Sequence, residues 1–231
     1  MTEEQIVSEL MDRESIAEGI ERRLAEDRQY RPVITISREP GSGGRPVGKL
    51  LAKKIGFKFY DKTLIEKVGR RMRLPVELLS KVDERSRSGI VDLVQNMLNP
   101  NYVSDEAYFR NLCQVVLKIA QKGGAVIVGR GGNFIVPQVY GLRVQVVSPY
   151  RVRVARAVEY EHVDRDEARE IIRSVTADRV SFVKQYFGKN IVSPKYYDLT
   201  INTTFFSLDQ AVDLILKAYK FKFPNVKLAK D

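Results

Sequence analysis

The residues best suited to chemistry lie in residues 33–49, VITISREPGSGGRPVGK. Gly41, Ser42, Gly43 and Gly44 follow a short β-branched apolar run, Val33, Ile34, Thr35 and Ile36, which reads as a buried strand. Arg45 and Pro46 come next, and then a helical pattern with Val47, Leu50, Leu51 and Ile55 on one face. Strand, glycine turn and helix form an arrangement that cradles phosphate. Glycine lets the backbone approach an anion, and the unpaired N–H groups and positive dipole of the following helix hold it. Pro46 suits the first helical turn, where its missing N–H costs nothing. The stretch reads as a nucleotide phosphate loop, although it does not fit G-x-x-x-x-G-K-[ST]. Glu39 stands where the first glycine belongs, Arg45 where the lysine does, and Pro46 where the metal-binding hydroxyl does. Taken alone, the plainer reading is a glycine turn without a ligand.

Other chemistries find little support. A single His162 and a single Cys113 give no zinc-like cluster, no imidazole base to build on and no internal disulfide. Phosphoryl transfer fits better, because it needs positioning and positive charge more than a nucleophilic side chain. Arg38 precedes the loop, Asp61 ends a second strand, and Arg130 follows the apolar run Ala125, Val126, Ile127 and Val128. Residues at strand ends face the ligand crevice of an open α/β sheet. Asp61 also suits a helix N-cap, and Arg130 a surface ion pair.

Four ordered blocks carry a family resemblance: ISREPGSGGRPVGKLLAKKIGFKFYDKTLI at 36–65, IVGRGGNFI at 127–135, RVSFVKQYFGKN at 179–190 and YDLTINT at 197–203. From residue 34 to about 217 the chain resembles the cytidylate kinase-like family, a divergent branch of the P-loop nucleoside monophosphate kinases. G-S-G-G-R in place of an ordinary Walker A looks like a trait of that family. The resemblance implies ATP-dependent, Mg²⁺-assisted phosphoryl transfer to a nucleoside monophosphate, CMP or dCMP first. It implies donor-phosphate binding by Gly41, Ser42, Gly43, Gly44 and Arg45, with Arg45 doing the work of the usual lysine. Arg153, Arg156 and Arg179 would join Arg45 in catalysis, and Arg38, Asp61 and Arg130 would bind the acceptor. No protein ligand is assigned to the metal. The chain departs from the pattern at one place: related sequences carry an aspartate three residues before the arginine matching Arg179, and here Thr176 stands there with Asp178 beside the arginine. Two alternatives stay open: a kinase of the same fold with another small acceptor, and a nucleotide-binding regulator without turnover.

These residues need a scaffold, and the alternation of strands and helices predicts one: an α/β fold of the P-loop kinase type, a parallel sheet flanked by helices. Its 231 residues and 44% hydrophobic content suit one such domain at 33–220. Residues 1–32 read as a helical N-terminal extension, lying on the domain surface or joining two copies as a homodimer. Residues 83–104, the least patterned part of the body, read as an acceptor-binding insertion. Residues 149–187 read as an arginine-rich lid, and 221–231 as a basic, mobile tail. The chain carries +10 overall. Residues 1–32 carry −4, with nine acidic side chains against five arginines, which leaves +14 on the rest. Such a body favours phosphate-bearing partners. Without zinc-finger spacing, an RNP-type strand or an Arg/Gly-rich tail, small nucleotides are favoured over nucleic acid. No apolar run approaches the length of a membrane span, and the acidic N-terminus does not resemble a signal peptide, so the expected setting is the cytoplasm.

Overall fold

Strand β1, Val33–Arg38, is buried along its first five residues, and its continuous apolar character fits the middle of a sheet covered on both faces. The computed structural model describes residues 30–61 and 105–228, with the side chains of 105–107 excepted. The N-terminal extension up to residue 29 and the proposed insertion at 83–104 lie outside these residues. In chain order the further elements are α1 (Gly44–Ile55), β2 (Lys58–Tyr60), α2 (Asp105–Lys122), β3 (Ala125–Val128), the single turn α3 (Gly132–Ile135), β4 (Gly141–Val147), α4 (Tyr150–Glu161), α5 (Arg165–Phe187), β5 (Leu199–Asn202) and α6 (Leu208–Lys222). The five strands run in the order β2-β3-β1-β4-β5, and every pairing is parallel. This is the parallel α/β architecture of P-loop kinases.

Two apolar layers sandwich the sheet. On one face Val47, Leu51 and Ile55 of α1 and Val212, Ile215 and Tyr219 of α6 pack on Ile34, Ile36 and Val144. On the other, α2 and the second half of α5 meet. Phe109 stacks on Tyr186 at 4.5 Å between ring centroids and meets Phe187 edge-on at 5.3 Å. Cys113 lies in this second layer, where burial pushes its thiol up to about 12, so it packs as a small apolar group. Helices α4 and α5 form a hairpin with a small core of its own, Val154, Ala157, Ala168 and Ile172. His162 ends α4 in the left-handed conformation. Asp164 caps α5 by accepting from the N–H groups of Asp166 and Glu167 at 2.8 and 2.9 Å.

The structure corrects two expectations. The stretch YDLTINT at 197–203 reads as the last strand, but the strand starts at Leu199, because Asp198 presents its side chain to β4. Its carboxylate accepts from the Arg143 N–H at 2.8 Å and from the Arg143 guanidinium at 2.8 Å. The described part of the expected mobile tail is packed. Helix α6 continues to Lys222, and Phe223, Val226 and Leu228 return to the core layer of α1 and α6. The basic residues in KFKFPNVKLAKD obscured its apolar spacing. Lys222 turns inward to donate to Asp198 at 2.6 Å and to the Gly141 carbonyl at 2.9 Å.

Burial alone would push the Asp198 carboxyl up, but hydrogen bonds from Arg143 and Lys222 hold it below the ordinary carboxylate range. A depressed folded value contributes stability that is present above the unfolded value and lost as pH falls through the folded one. Asp198→Asn is therefore expected to lower stability at pH 7 by about 1 kcal/mol. The gap to the native chain should close below about pH 4; urea unfolding from pH 3 to 7 measures it, and a gap independent of pH would contradict the assignment.

Candidate active site

All five strands deliver a functional group at their carboxyl ends. Arg38 ends β1 and Glu39 follows it, Asp61 follows β2, Arg130 lies just past β3, Ser148 follows β4, and Thr203 follows β5. Ligands of open α/β sheets bind at this edge.

The loop between β1 and α1 is fixed from below by a buried hydroxyl network. Thr203 Oγ1 donates to the Ser42 carbonyl at 2.7 Å. Having spent its proton there, Thr203 accepts from Ser148 Oγ, 2.7 Å away. Arg156 Nη1 donates to Thr203 Oγ1 at 2.9 Å and to Ser148 Oγ at 3.1 Å, and its Nη2 donates to the Thr203 carbonyl at 2.7 Å. Across a trans peptide the C=O and the next N–H point in opposite directions. Holding the Ser42 carbonyl inward therefore turns the Gly43 N–H outward. The first turn of the 12-residue helix α1 adds N–H groups that have no partner within the helix. Gly41 and Gly43 both take positive φ, +76° and +81°. At 41 only glycine fits, because a Cβ would meet the Arg153 carbonyl at 2.7 Å.

Ser42 is fully buried, and its N–H and hydroxyl both donate to the Glu39 carbonyl, at 3.2 and 2.8 Å. It gives the loop its shape. Glu39, the misfit to the Walker pattern, has a structural use as well. Its carboxylate accepts the Ser148 N–H at 3.0 Å and faces Arg153 Nε at 3.5 Å. Arg153 is buried, its Nε donates to the Ser148 carbonyl at 3.0 Å, and its Nη1 makes no hydrogen bond to the described residues. Arg45, exposed at the start of α1, forms an ion pair with Asp61.

A second group faces a cleft between β1, β3 and α5, lined by Arg38, Arg130, Asp178 and Arg179 together with Ser37 and Asn133. Arg130 has φ +57°, a left-handed conformation uncommon for a non-glycine residue. The Arg38 guanidinium crosses Gly129, where any Cβ would strike it. Arg179 Nη1 donates to the Arg38 carbonyl at 3.0 Å, tying α5 to the end of β1. Three guanidinium groups against one carboxylate make an anion-seeking cleft. Of the arginines in the expected lid, Arg153, Arg156 and Arg179 turn inward, whereas Arg151, Arg165, Arg169 and Arg173 are exposed.

The residues expected to bind therefore fall into two sets: Gly41 to Arg45 with Asp61, Arg153 and Arg156, and Arg38 with Arg130 and Arg179. Reading the sequence missed Ser148, Thr203, Asp178 and Asn133. The position of Ser148 and Thr203 just past two strands was the available signal. Asp178 showed only as a displaced neighbour of Arg179, and Asn133 looks in sequence like an ordinary first-turn residue.

Comparison with known proteins bears on the family and the fold. The model of the cytidylate kinase-like family matches residues 33–205. A cytidylate kinase of Sulfolobus acidocaldarius is 25% identical over 185 residues, covering 79% of this chain and 91% of its own. One from Archaeoglobus fulgidus is 28% identical over 195 residues, covering 82% and 95%. A crystal structure of an uncharacterized protein from Eubacterium ventriosum superposes with a TM-score of 0.61 at 21% identity, covering 82% of this chain and 99% of that one.

The hydroxyl network is open to direct measurement. Thr203→Val keeps the side chain's shape and removes the donor to Ser42 and the acceptor for Ser148 and Arg156. Because Thr203 is 3% exposed, the stranded partners should cost about 1 to 3 kcal/mol. Thermal or urea unfolding should show that loss, and an unchanged midpoint would mean the loop is not held this way.

Proposed function

The chain belongs to the cytidylate kinase-like family, and from that membership we propose that it transfers the γ-phosphoryl group of ATP to a nucleoside monophosphate, with CMP or dCMP as the acceptor. It is a phosphotransferase of the nucleotide-kinase type; the identity of the acceptor is our reading. The observation that carries it is the anchored Ser42 carbonyl, which aims the Gly43 N–H out of the loop beside the start of α1.

In this reading Gly41 to Arg45 hold the donor phosphates, and Arg45 stands in for the usual lysine with a planar fork in place of a point charge. Asp61 orients that fork through their ion pair. Arg153 and Arg156 brace the loop, with Arg153 Nη1 left to meet phosphate. The cleft of Arg38, Arg130 and Arg179 takes the acceptor's phosphate, so that one of its oxygens attacks the γ-phosphorus as the bond to ADP breaks. Little covalent chemistry is asked of the protein; positioning and charge do the work. The α4–α5 hairpin acts as the lid that excludes water, residues 83–104 serve as the acceptor-binding insertion, and 1–32 as an extension outside the kinase domain. Mg²⁺, when bound with the nucleotide, would supply charge neutralisation for its phosphates. Pro46 has no hydroxyl to offer it, and among the described residues no three acidic, His or Cys side chains gather as a metal site, so no step is assigned to a protein–metal bond. No helix among the described residues is long and apolar enough to cross a membrane; a cytoplasmic setting belongs to the same proposal.

Purified protein with MgATP and each of CMP, dCMP, UMP, AMP and GMP should release ADP with a cytidine acceptor. ATP binding without ADP from any of these would favour a regulator or an acceptor of another class. Arg45→Ala should lower kcat on the order of 10²-fold to 10³-fold, as for loss of one preorganised charge, with the fold intact by circular dichroism. Undiminished turnover in that variant would remove Arg45 from the mechanism.

A further inference from the structure

Within the cleft of Arg38, Arg130 and Arg179 one polar side chain has no task in binding phosphate. Asn133 is 7% exposed and lines the cleft, and its Nδ2 is buried without a hydrogen bond. Buried donors in native proteins almost always have partners, so one left over inside a pocket marks where a ligand completes the set. The Tyr197 hydroxyl lies beside the same amide, and its own proton goes to the Ile191 carbonyl at 2.6 Å, so its oxygen faces one of the two Nδ2 hydrogens and the other is left for a ligand. Gly131, in the left-handed conformation at φ +65°, opens the single-turn helix that carries Asn133, and a Cβ there would strike the Phe187 ring. The amide is therefore held by a rigid corner of the fold. Phe182, Val183 and Ile191 form an apolar wall of the same cleft. Guanidinium groups for phosphate, an apolar wall for a flat ring and one neutral amide make a divided site.

We propose that Asn133 reads the acceptor base, its Nδ2 donating to the unprotonated ring nitrogen N3 of cytosine. This rests on the kinase reading above and deepens it by naming a residue that selects the base. The chemistry discriminates in a simple way. Cytosine presents a lone pair at N3, where uracil presents an N–H, and two donors facing each other cannot pair. A purine would have to place its larger ring against the same wall.

The test is the ratio of kcat/KM for CMP to that for UMP, which cancels effects on the shared phosphate. Asn133→Ala should lower that ratio about tenfold, the loss expected for one neutral hydrogen bond, with KM for ATP within about twofold of the native value. Asn133→Asp replaces the donor with an acceptor and should move the preference toward UMP. Asn133→Ser, which keeps a small donor, serves if the alanine variant melts early. A ratio unchanged in folded Ala and Asp variants overturns the proposal while leaving the kinase reading in place. A native chain that phosphorylates no nucleoside monophosphate overturns the kinase reading. In that event, calorimetric affinities for CMP and UMP in the native chain and in Asn133→Asp still decide: equal CMP-to-UMP ratios in the two reject Asn133 as the base reader, and a lower ratio in the variant supports it.

Discussion

The arrangement at the carboxyl edge depends on one peptide carbonyl. Ser42 C=O is held inward by Thr203 Oγ1 at 2.7 Å, and that orientation alone decides which way the following N–H points. Each supporting group belongs to a different element. Thr203 follows β5, Ser148 follows β4, and Arg156 comes from α4. Each of the three side chains makes more than one hydrogen bond within this network: Thr203 Oγ1 donates once and accepts from Ser148 and Arg156, and Arg156 reaches both hydroxyls. A fully satisfied buried network is rigid, whereas a half-satisfied one is worse than an apolar core. The glycines make the loop permissive, and the hydroxyls behind it make it specific.

The same logic couples the two halves of the edge. Arg179 on α5 donates to the Arg38 carbonyl, one residue before Glu39, whose carboxylate holds the Ser148 N–H. The cleft and the phosphate loop therefore share a backbone segment, residues 38 to 42. The α4–α5 hairpin is tied to this segment at Arg153, Arg156 and Arg179, while its small core of Val154, Ala157, Ala168 and Ile172 is separate from the two layers on the sheet. Only α4 and the first half of α5 share that small core, because Val183, Tyr186 and Phe187 of α5 belong to the layer of α2.

Much of the fold was legible in the sequence because burial leaves periodic marks. Ala125 to Val128 reads as a central parallel strand buried on both faces; it is an interior strand, fully buried, next to the central β1. Ser207 reads as a cap and forms a capping box with Gln210. Failures came where a side chain replaces a regular backbone partner or where charge masks apolar spacing. Asp198 takes the place of a strand residue by presenting its carboxylate to the Arg143 N–H, which no periodicity reports. Phe223, Val226 and Leu228 were hidden among lysines. At the candidate site, the glycines and strand-end arginines stood out by type and position. Ser148, Thr203 and Asn133 did not, because their importance comes from which atoms they meet across the sheet, at sequence separations such as the 161 residues between Thr203 and Ser42.

The departures from the ordinary Walker pattern are best understood together. A glycine at 39 would free the loop but leave the Ser148 N–H and the buried Arg153 without their carboxylate. A lysine at 45 would keep the charge but lose the planar fork that Asp61 engages. A hydroxyl at 46 would add an oxygen for metal, whereas Pro46 fixes φ in the first turn of α1 and asks for no N–H partner. Glu39 and Pro46 constrain the loop's shape, whereas Arg45 keeps the positive charge and is itself held by Asp61. A phosphate site can be built either way, because what an anion meets is the direction of backbone N–H groups and the charge behind them. On that physical ground, G-S-G-G-R is a loop whose shape is held by its surroundings, and in the phosphate-binding role proposed for it Glu39, Ser148 and Thr203 count as much as its glycines.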